Sequence, residues 1–334
     1  MQANPDQVVR RADPLNCEVR ISRLAEGSVT PNERFYIRNH FPVPEVVAKS
    51  WRLKLHGRVK EEQSISLPQL MRMRGETIPV TLECAGNGRS LFNTPIEGEP
   101  WGTGAVSSAE WTGIPIFDVL DKAGLEPSAT HLVFRGADGF DRALSIEEAH
   151  EEPLLLAYGM NGVPLPQMHG YPVRAIVPAW YAVASVKWLT EIEVTDHPFD
   201  GYFQVQRYVY ERSGGSEPVK YQKVRSLITD PEDGGAIAGG KVTIRGLAWS
   251  GRFPLGQVHV SIDRGEWLQA TLQGLPDRYA WRLWQLETRI ERRGEIEIRA
   301  RATDINRESQ PEQADLNRLG YGNNAIQTVT VTVS

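Results

Sequence analysis

Residues 80–90 read VTLECAGNGRS. Val80, Thr81 and Leu82 have the β-branched character of a strand end, and Gly86, Asn87 and Gly88 follow as a turn able to take positive φ. Cys84 is therefore held where a rigid strand gives way to a turn. Arg89 lies close enough in sequence to lower the thiol pKa. A thiolate there is a soft ligand, suited to metals that tolerate sulfur. The plain alternative is a small buried cysteine beside a tight turn.

Working outward, 334 residues exceed one ordinary core and predict two domains. The hydrophobic fraction of 40% and charged fraction of 24% are those of a globular protein. A net charge of −5 without a Lys/Arg block excludes an obvious nucleic-acid or membrane surface. Two cysteines, Cys17 and Cys84, exclude a disulfide framework and any all-cysteine metal cluster. The N-terminal stretch has no apolar h-region, and the longest apolar run, residues 175–186 (AIVPAWYAVASV), is too short to span a bilayer. The expectation is a cytoplasmic chain, or a periplasmic one if a leader was removed.

Residues 1–210 mix strand-like and helix-like runs without βαβ alternation, which predicts an irregular α+β domain. WRLKLHGRV (51–59) alternates as a strand; SLPQLMRM (66–73), IPIFDVLDKAG (114–124) and SIEEAHEE (145–152) read as short capped helices. From residue 222 to 334 the pattern is all-β: KVTIRGLAW (241–249), QVHVSID (257–263), EIEIRARATD (295–304) and AIQTVTVTV (325–333) alternate with period two. Strands at that spacing predict an immunoglobulin-like sandwich. ERSGGSEPVK (211–220) reads as a polar hinge between the two.

Four further stretches carry possible chemistry. FYIRNHFPVP (35–44) sets Arg38, Asn39 and His40 in a row, RGAD (135–138) ends a strand on Asp138, and MHGYPVRAIVP (168–178) holds His169 and Arg174. SVKWL (185–189) puts Lys187 in an apolar strand, where a buried ammonium needs an anionic partner. A Cys–His hydrolase built on Cys84 with His40 or His169 would use the same residues, but no local signature of such an enzyme is present.

Together these stretches, with PWGTGAVSSAEWTGIPIFDVL and ITDPEDGGAIAGGKVTIRGLAWSG, resemble the sulfite oxidase family of molybdenum enzymes in order and over nearly the whole chain. The resemblance implies a molybdopterin-binding catalytic domain over 1–210 and an immunoglobulin-like homodimerisation domain over 222–334. It implies Mo-molybdopterin as cofactor, with Cys84 as the protein's thiolate ligand. Tyr36, Ile37, Arg38, Asn39, His40, Asp138, His169, Arg174, Ser185, Val186 and Lys187 would line the cofactor. Arg38, Arg89 and Trp101 would face a substrate pocket, and the implied reaction is oxidation of sulfite to sulfate by oxygen-atom transfer. A related molybdopterin oxidoreductase acting on nitrate or on an S- or N-oxide is the alternative. No haem or flavin segment is appended, so electrons are expected to leave to a separate acceptor such as a cytochrome.

The chain departs from the family pattern at several positions. The family's active-site tyrosine aligns with Phe199, with Tyr202 three residues away as its possible substitute. In LNRLGYGNN, Arg318 falls one residue before the family's pocket arginine, and Leu319 takes the matching place. The loop before Trp101 is acidic, and Ala179 and Ala182 replace expected glycines. A non-catalytic binding protein with a vestigial pterin site is the third reading.

Overall fold

The computed structural model describes residues 3–334. The first two hundred residues form the α+β part. One five-stranded sheet runs in the order Val163–Pro164, Leu155–Met160, Val106–Pro115, Glu76–Glu83, with Arg174–Ile176 also paired to Leu155–Met160. A second runs Gln63–Ser66, Arg52–Gly57, Leu189–Thr195, His131–Gly136, Asp141–Ser145. Within these two sheets the pairing of Arg52–Gly57 with Leu189–Thr195 is parallel and the others are antiparallel. No βαβ winding results, as the pattern of short runs predicts.

The helices are short and begin where the capping chemistry places them. Leu67–Leu70 and Ile146–Glu151 each start with a reciprocal capping box, Ser66 with Gln69 and Ser145 with Glu148. Ile116–Ala123 buries Ile116, Val119 and Leu120 and stops at Gly124, whose φ of 66° suits a residue without Cβ. No described helix is long and apolar enough to cross a membrane.

The C-terminal part is a β-sandwich. One sheet is ordered Arg225–Asp230, Gly240–Trp249, Arg282–Ile290, Thr271–Leu272. The facing sheet is Ala236–Ile237, Gln327–Val333, Gly294–Asp304, Leu255–Ile262, Leu268–Gln269. The period-two residues Ile296, Ile298, Ala300 and Ala302 are buried with Val258, Val260, Val329 and Val331 of the neighbouring strands, in one core with Ile228, Ile244, Trp284 and Leu286 of the facing sheet. The expected polar hinge is instead a hairpin, Val209–Arg212 paired with Gly215–Pro218. Its Gly215 takes φ 133°, and Val219 just beyond is fully buried, so the segment is docked rather than extended.

The two parts share a core. Leu82, Cys84, Trp101 and Trp111 of the first pack in one cluster with Leu227, Leu247, Trp249 and Trp281 of the second. At its centre Glu83 accepts from Arg225 Nη1 (2.9 Å), Asn87 Nδ2 (2.9 Å) and Trp249 Nε1 (2.9 Å). Arg225 also donates to the Asn87 carbonyl at 3.2 Å. The Glu83 and Arg225 side chains are only 2% and 3% exposed, so neither charge has water to fall back on. Burial still holds the Glu83 carboxyl above its ordinary pKa against Arg225, Asn87 and Trp249. The pair thus fixes geometry more than it adds stability. Glu83→Ala strands the Arg225 charge, and chemical denaturation is expected to show a loss of about 3–5 kcal/mol; a loss below about 1 kcal/mol, the range of an exposed pair, would contradict the account.

Candidate active site

Cys84 follows the strand Glu76–Glu83. Its N–H donates to the Ala105 carbonyl (2.9 Å), and its own carbonyl accepts from Asn87 N–H (2.8 Å). The turn is held from the C-terminal part as well: Gly322 N–H donates to the Ala85 carbonyl (2.8 Å) and Asn323 Nδ2 to the Gly88 carbonyl (2.9 Å). The two glycines do different work. Gly88 has φ 85°, as expected of the turn. Gly86 makes room, since a Cβ there would sit 2.5 Å from the Arg89 guanidinium. The thiol runs opposite to the sequence expectation. Burial pushes the Cys84 pKa up, outweighing the downward pull of Arg38 and Arg89.

Cys84 lies where two cavities meet. The inner one is lined by Tyr36, Arg38, Asn39, His40, Asp138, His169, Arg174, Ser185, Val186 and Lys187, all anticipated, together with Phe140 and Tyr208. Its walls carry three cationic side chains, Arg38, Arg174 and Lys187, against one carboxylate, Asp138. Arg174 donates to the carbonyls of His169 (2.9 Å) and Ser185 (3.0 Å) and lies over the Trp111 ring. Its Nε is buried without a partner. Burial lowers the Arg174 pKa to about 10. The anionic partner expected for Lys187 is replaced by neutral oxygens, the Asn39 amide and the Met168 carbonyl. Burial and then Arg174 hold Lys187 well below its usual pKa, while Asp138 opposes them.

The remaining inner residues are orienting groups. Asp138 caps the Phe140 N–H (3.1 Å), and burial raises its pKa. Ser185 Oγ accepts from Val177 N–H (3.0 Å). His40 stacks on Phe140 and shares a 2.7 Å hydrogen bond with the Tyr208 hydroxyl. Burial keeps His40 neutral, and likewise His169, whose pKa falls to about 3. Ala182 lines the cavity where glycine was expected, and Ala179 takes φ 66°. A Cβ in that left-handed region costs about 1–2 kcal/mol.

The outer cleft is lined by Arg11, Arg38, His40, Arg89, Glu97, Glu99, Trp101, Tyr202, Arg207, Tyr208 and Tyr321, with Cys84 at its base. Arg89 is fixed by donating Nε to the Leu319 carbonyl (2.8 Å) and Nη1 to the Glu99 carbonyl (2.8 Å), and lies over the Tyr321 ring. Trp101 is fully buried and its Nε1 has no partner.

Three anticipated residues are placed differently. Ile37 turns away from both cavities: its backbone bridges Cys17 and its side chain packs with Cys17 and Met168. Arg318 points outward, pairing with Glu211 (2.8 Å) and donating to the Gln206 carbonyl (3.0 Å). Tyr202 reaches the cleft but is half exposed. The buried tyrosine at the junction of both cavities is Tyr208, which sequence reading missed. It lies just beyond a five-residue π-helical turn, Phe203–Arg207.

Comparison with known proteins places both parts of the chain. Residues 40–203 match the oxidoreductase molybdopterin binding domain and residues 217–334 the Mo-co oxidoreductase dimerisation domain. The chain is 36% identical to sulfite oxidase of Gallus gallus over 92% of this chain and 74% of that protein. It is 37% identical to mitochondrial sulfite oxidase of Homo sapiens over 99% of its length, and spans 66% of that relative. It superposes on the sulfane dehydrogenase SoxCD of Paracoccus pantotrophus with a TM-score of 0.85 and 27% identity, covering 98% of this chain and 85% of that one. The fold thus places the chain in the class built from an oxidoreductase molybdopterin binding domain followed by a Mo-co oxidoreductase dimerisation domain. More narrowly, the chain belongs to the sulfite oxidase family.

The buried neutral histidine makes a pH prediction. His169 titrates near 3 when folded and near its ordinary 6.5 when unfolded. Between those values the unfolded chain binds the extra proton, so its contribution to stability falls as pH drops from 6.5 toward 3. His169→Gln is expected to reduce the difference in urea midpoint between pH 7 and pH 4.5; an unchanged difference would contradict it.

Proposed function

We propose that this chain oxidises sulfite to sulfate at a molybdenum–molybdopterin centre whose protein ligand is Cys84. One observation carries the reading: Cys84 lines two adjoining pockets, one with the cations Arg38, Arg174 and Lys187 and one with Arg11, Arg38, Arg89 and Arg207. The inner residues fit the cofactor. Arg38, Arg174 and Lys187 exceed the single carboxylate Asp138, so a phosphate-bearing ligand supplies the missing negative charge. The unpaired Arg174 Nε is a waiting donor. Among the described residues no group of three or more His, Cys, Asp or Glu could hold a metal, so a metal at Cys84 takes its other ligands from the cofactor.

When bound, that centre supplies the two-electron oxidation and the oxygen-atom transfer that convert sulfite and water to sulfate and two protons. The chain's own residues bind and orient. Arg38 and Arg89 neutralise the oxyanion, and fixed donors need no reorganisation as charge shifts. Trp101 Nε1, buried and unpartnered, can donate to an oxyanion oxygen. Burial raises the pKa of the Tyr208 hydroxyl, which keeps its proton at neutral pH and can donate as well.

Electrons are proposed to leave to a separate acceptor such as a cytochrome. Residues 222–334 are proposed to pair two copies, and sedimentation at micromolar concentration should give twice the chain mass of 37.4 kDa; a monomer would contradict the pairing. For the function itself, Cys84→Ser should retain the circular dichroism spectrum of the wild type but lose turnover by at least about 10³-fold. Full sulfite activity in that variant would sink the assignment. Wild-type turnover of nitrate or a sulfoxide without sulfite would move the chain to the alternative.

A further inference from the structure

The outer cleft holds Arg11, Arg38, Arg89 and Arg207 but only two carboxylates, Glu97 and Glu99. The two carboxylates are bound in different ways. Glu99 pairs with Arg11 at 2.8 Å and its side chain is only 5% exposed, so that pair is a fixed wall. Glu97 pairs with Arg207 at 2.8 Å, yet its side chain is 70% exposed. Water can replace Arg207 around Glu97 at little cost, and exposed pairs of this kind are weak. Arg38 and Arg89 hold backbone carbonyls rather than carboxylates, so their charge is free for a ligand.

The C-terminal loop gives the cleft no guanidinium. Leu319 is buried, offering only its carbonyl to Arg89, and Arg318 faces outward. Arg318 instead bonds the carbonyl of Gln206, next to Arg207, and so fixes the turn that carries it.

We propose that Arg207 is the third anion-binding guanidinium of the cleft and that Glu97 is its exchangeable counterion, displaced when a small sulfur oxyanion enters. The inference rests on the reading of this cleft as an oxyanion site. It makes Arg207 a specificity residue: a doubly charged oxyanion competes with the Glu97 carboxylate for Arg207 better than a singly charged one.

The test is calorimetric titration of sulfate into the purified holoenzyme at low ionic strength, where exposed charges are least screened. Arg207→Gln should weaken sulfate binding about tenfold, in line with loss of one charge-assisted contact. Glu97→Gln should tighten it about threefold, the reach of an exposed pair. The double variant should gain less over Arg207→Gln than Glu97→Gln gains over the wild type, since Arg207 is the direct partner of Glu97 while Arg89 and Arg318 also feel its charge. Wild-type affinity in Arg207→Gln, unchanged affinity in Glu97→Gln, or no sulfate binding by the wild type would each overturn the proposal. A wild type that binds sulfate with this pattern but does not oxidise sulfite would leave Arg207 and Glu97 in place and overturn the functional reading instead.

Discussion

The buried Glu83–Arg225 pair is the constraint on which the site depends. Glu83 is the last residue of its strand and Cys84 is the next. Because the carboxylate is held by Arg225 and Trp249 from the sandwich and by Asn87 from the turn, it ties three pieces of chain at one point. A thiol on a loose loop would sample many directions. Here its neighbours are fixed from both parts of the molecule, and the second part is structurally built into the site. Gly322 and Asn323 repeat the tie on the far side of the turn.

That rigidity serves a cavity with a surplus of positive charge. Arg174 and Lys187 are both held by carbonyl or amide oxygens, which orient a cation without cancelling it. Burial then depresses the pKa of each, a cost that only an anionic ligand offsets. The neutral His40 and His169 add shape and hydrogen bonds without adding to the repulsion. Both pockets therefore carry more cationic than carboxylate side chains, which favours anionic ligands in each.

Much of this was legible in the sequence because it rests on local rules. Period-two alternation at 241–249, 257–263, 295–304 and 325–333 found the sandwich strands, and Pro68 in a first turn and the serine cap at 145 found helix starts. Most cavity residues were found through the family resemblance. What escaped depends on long-range placement. Ile37 lies between two lining residues and is taken out of the cavity by its bridge to Cys17. Arg207 and Tyr208 sit on and just after a π-helical turn, which no spacing rule anticipates. Arg318 was drawn away by Glu211, 107 residues distant in sequence. The acid–base expectation for Cys84 failed for a related reason, since Arg89 is near in sequence but burial, set by the whole fold, is the larger effect.

The central claim is that the Cys84 thiolate ligates a molybdenum centre that reacts with sulfite. The most direct test is the visible spectrum of the purified protein, recorded without oxygen before and after adding sulfite. The account predicts a thiolate-to-molybdenum charge-transfer band that bleaches on sulfite addition. A wild-type protein loaded with molybdenum that shows no such band, or whose band is untouched by sulfite, would contradict it.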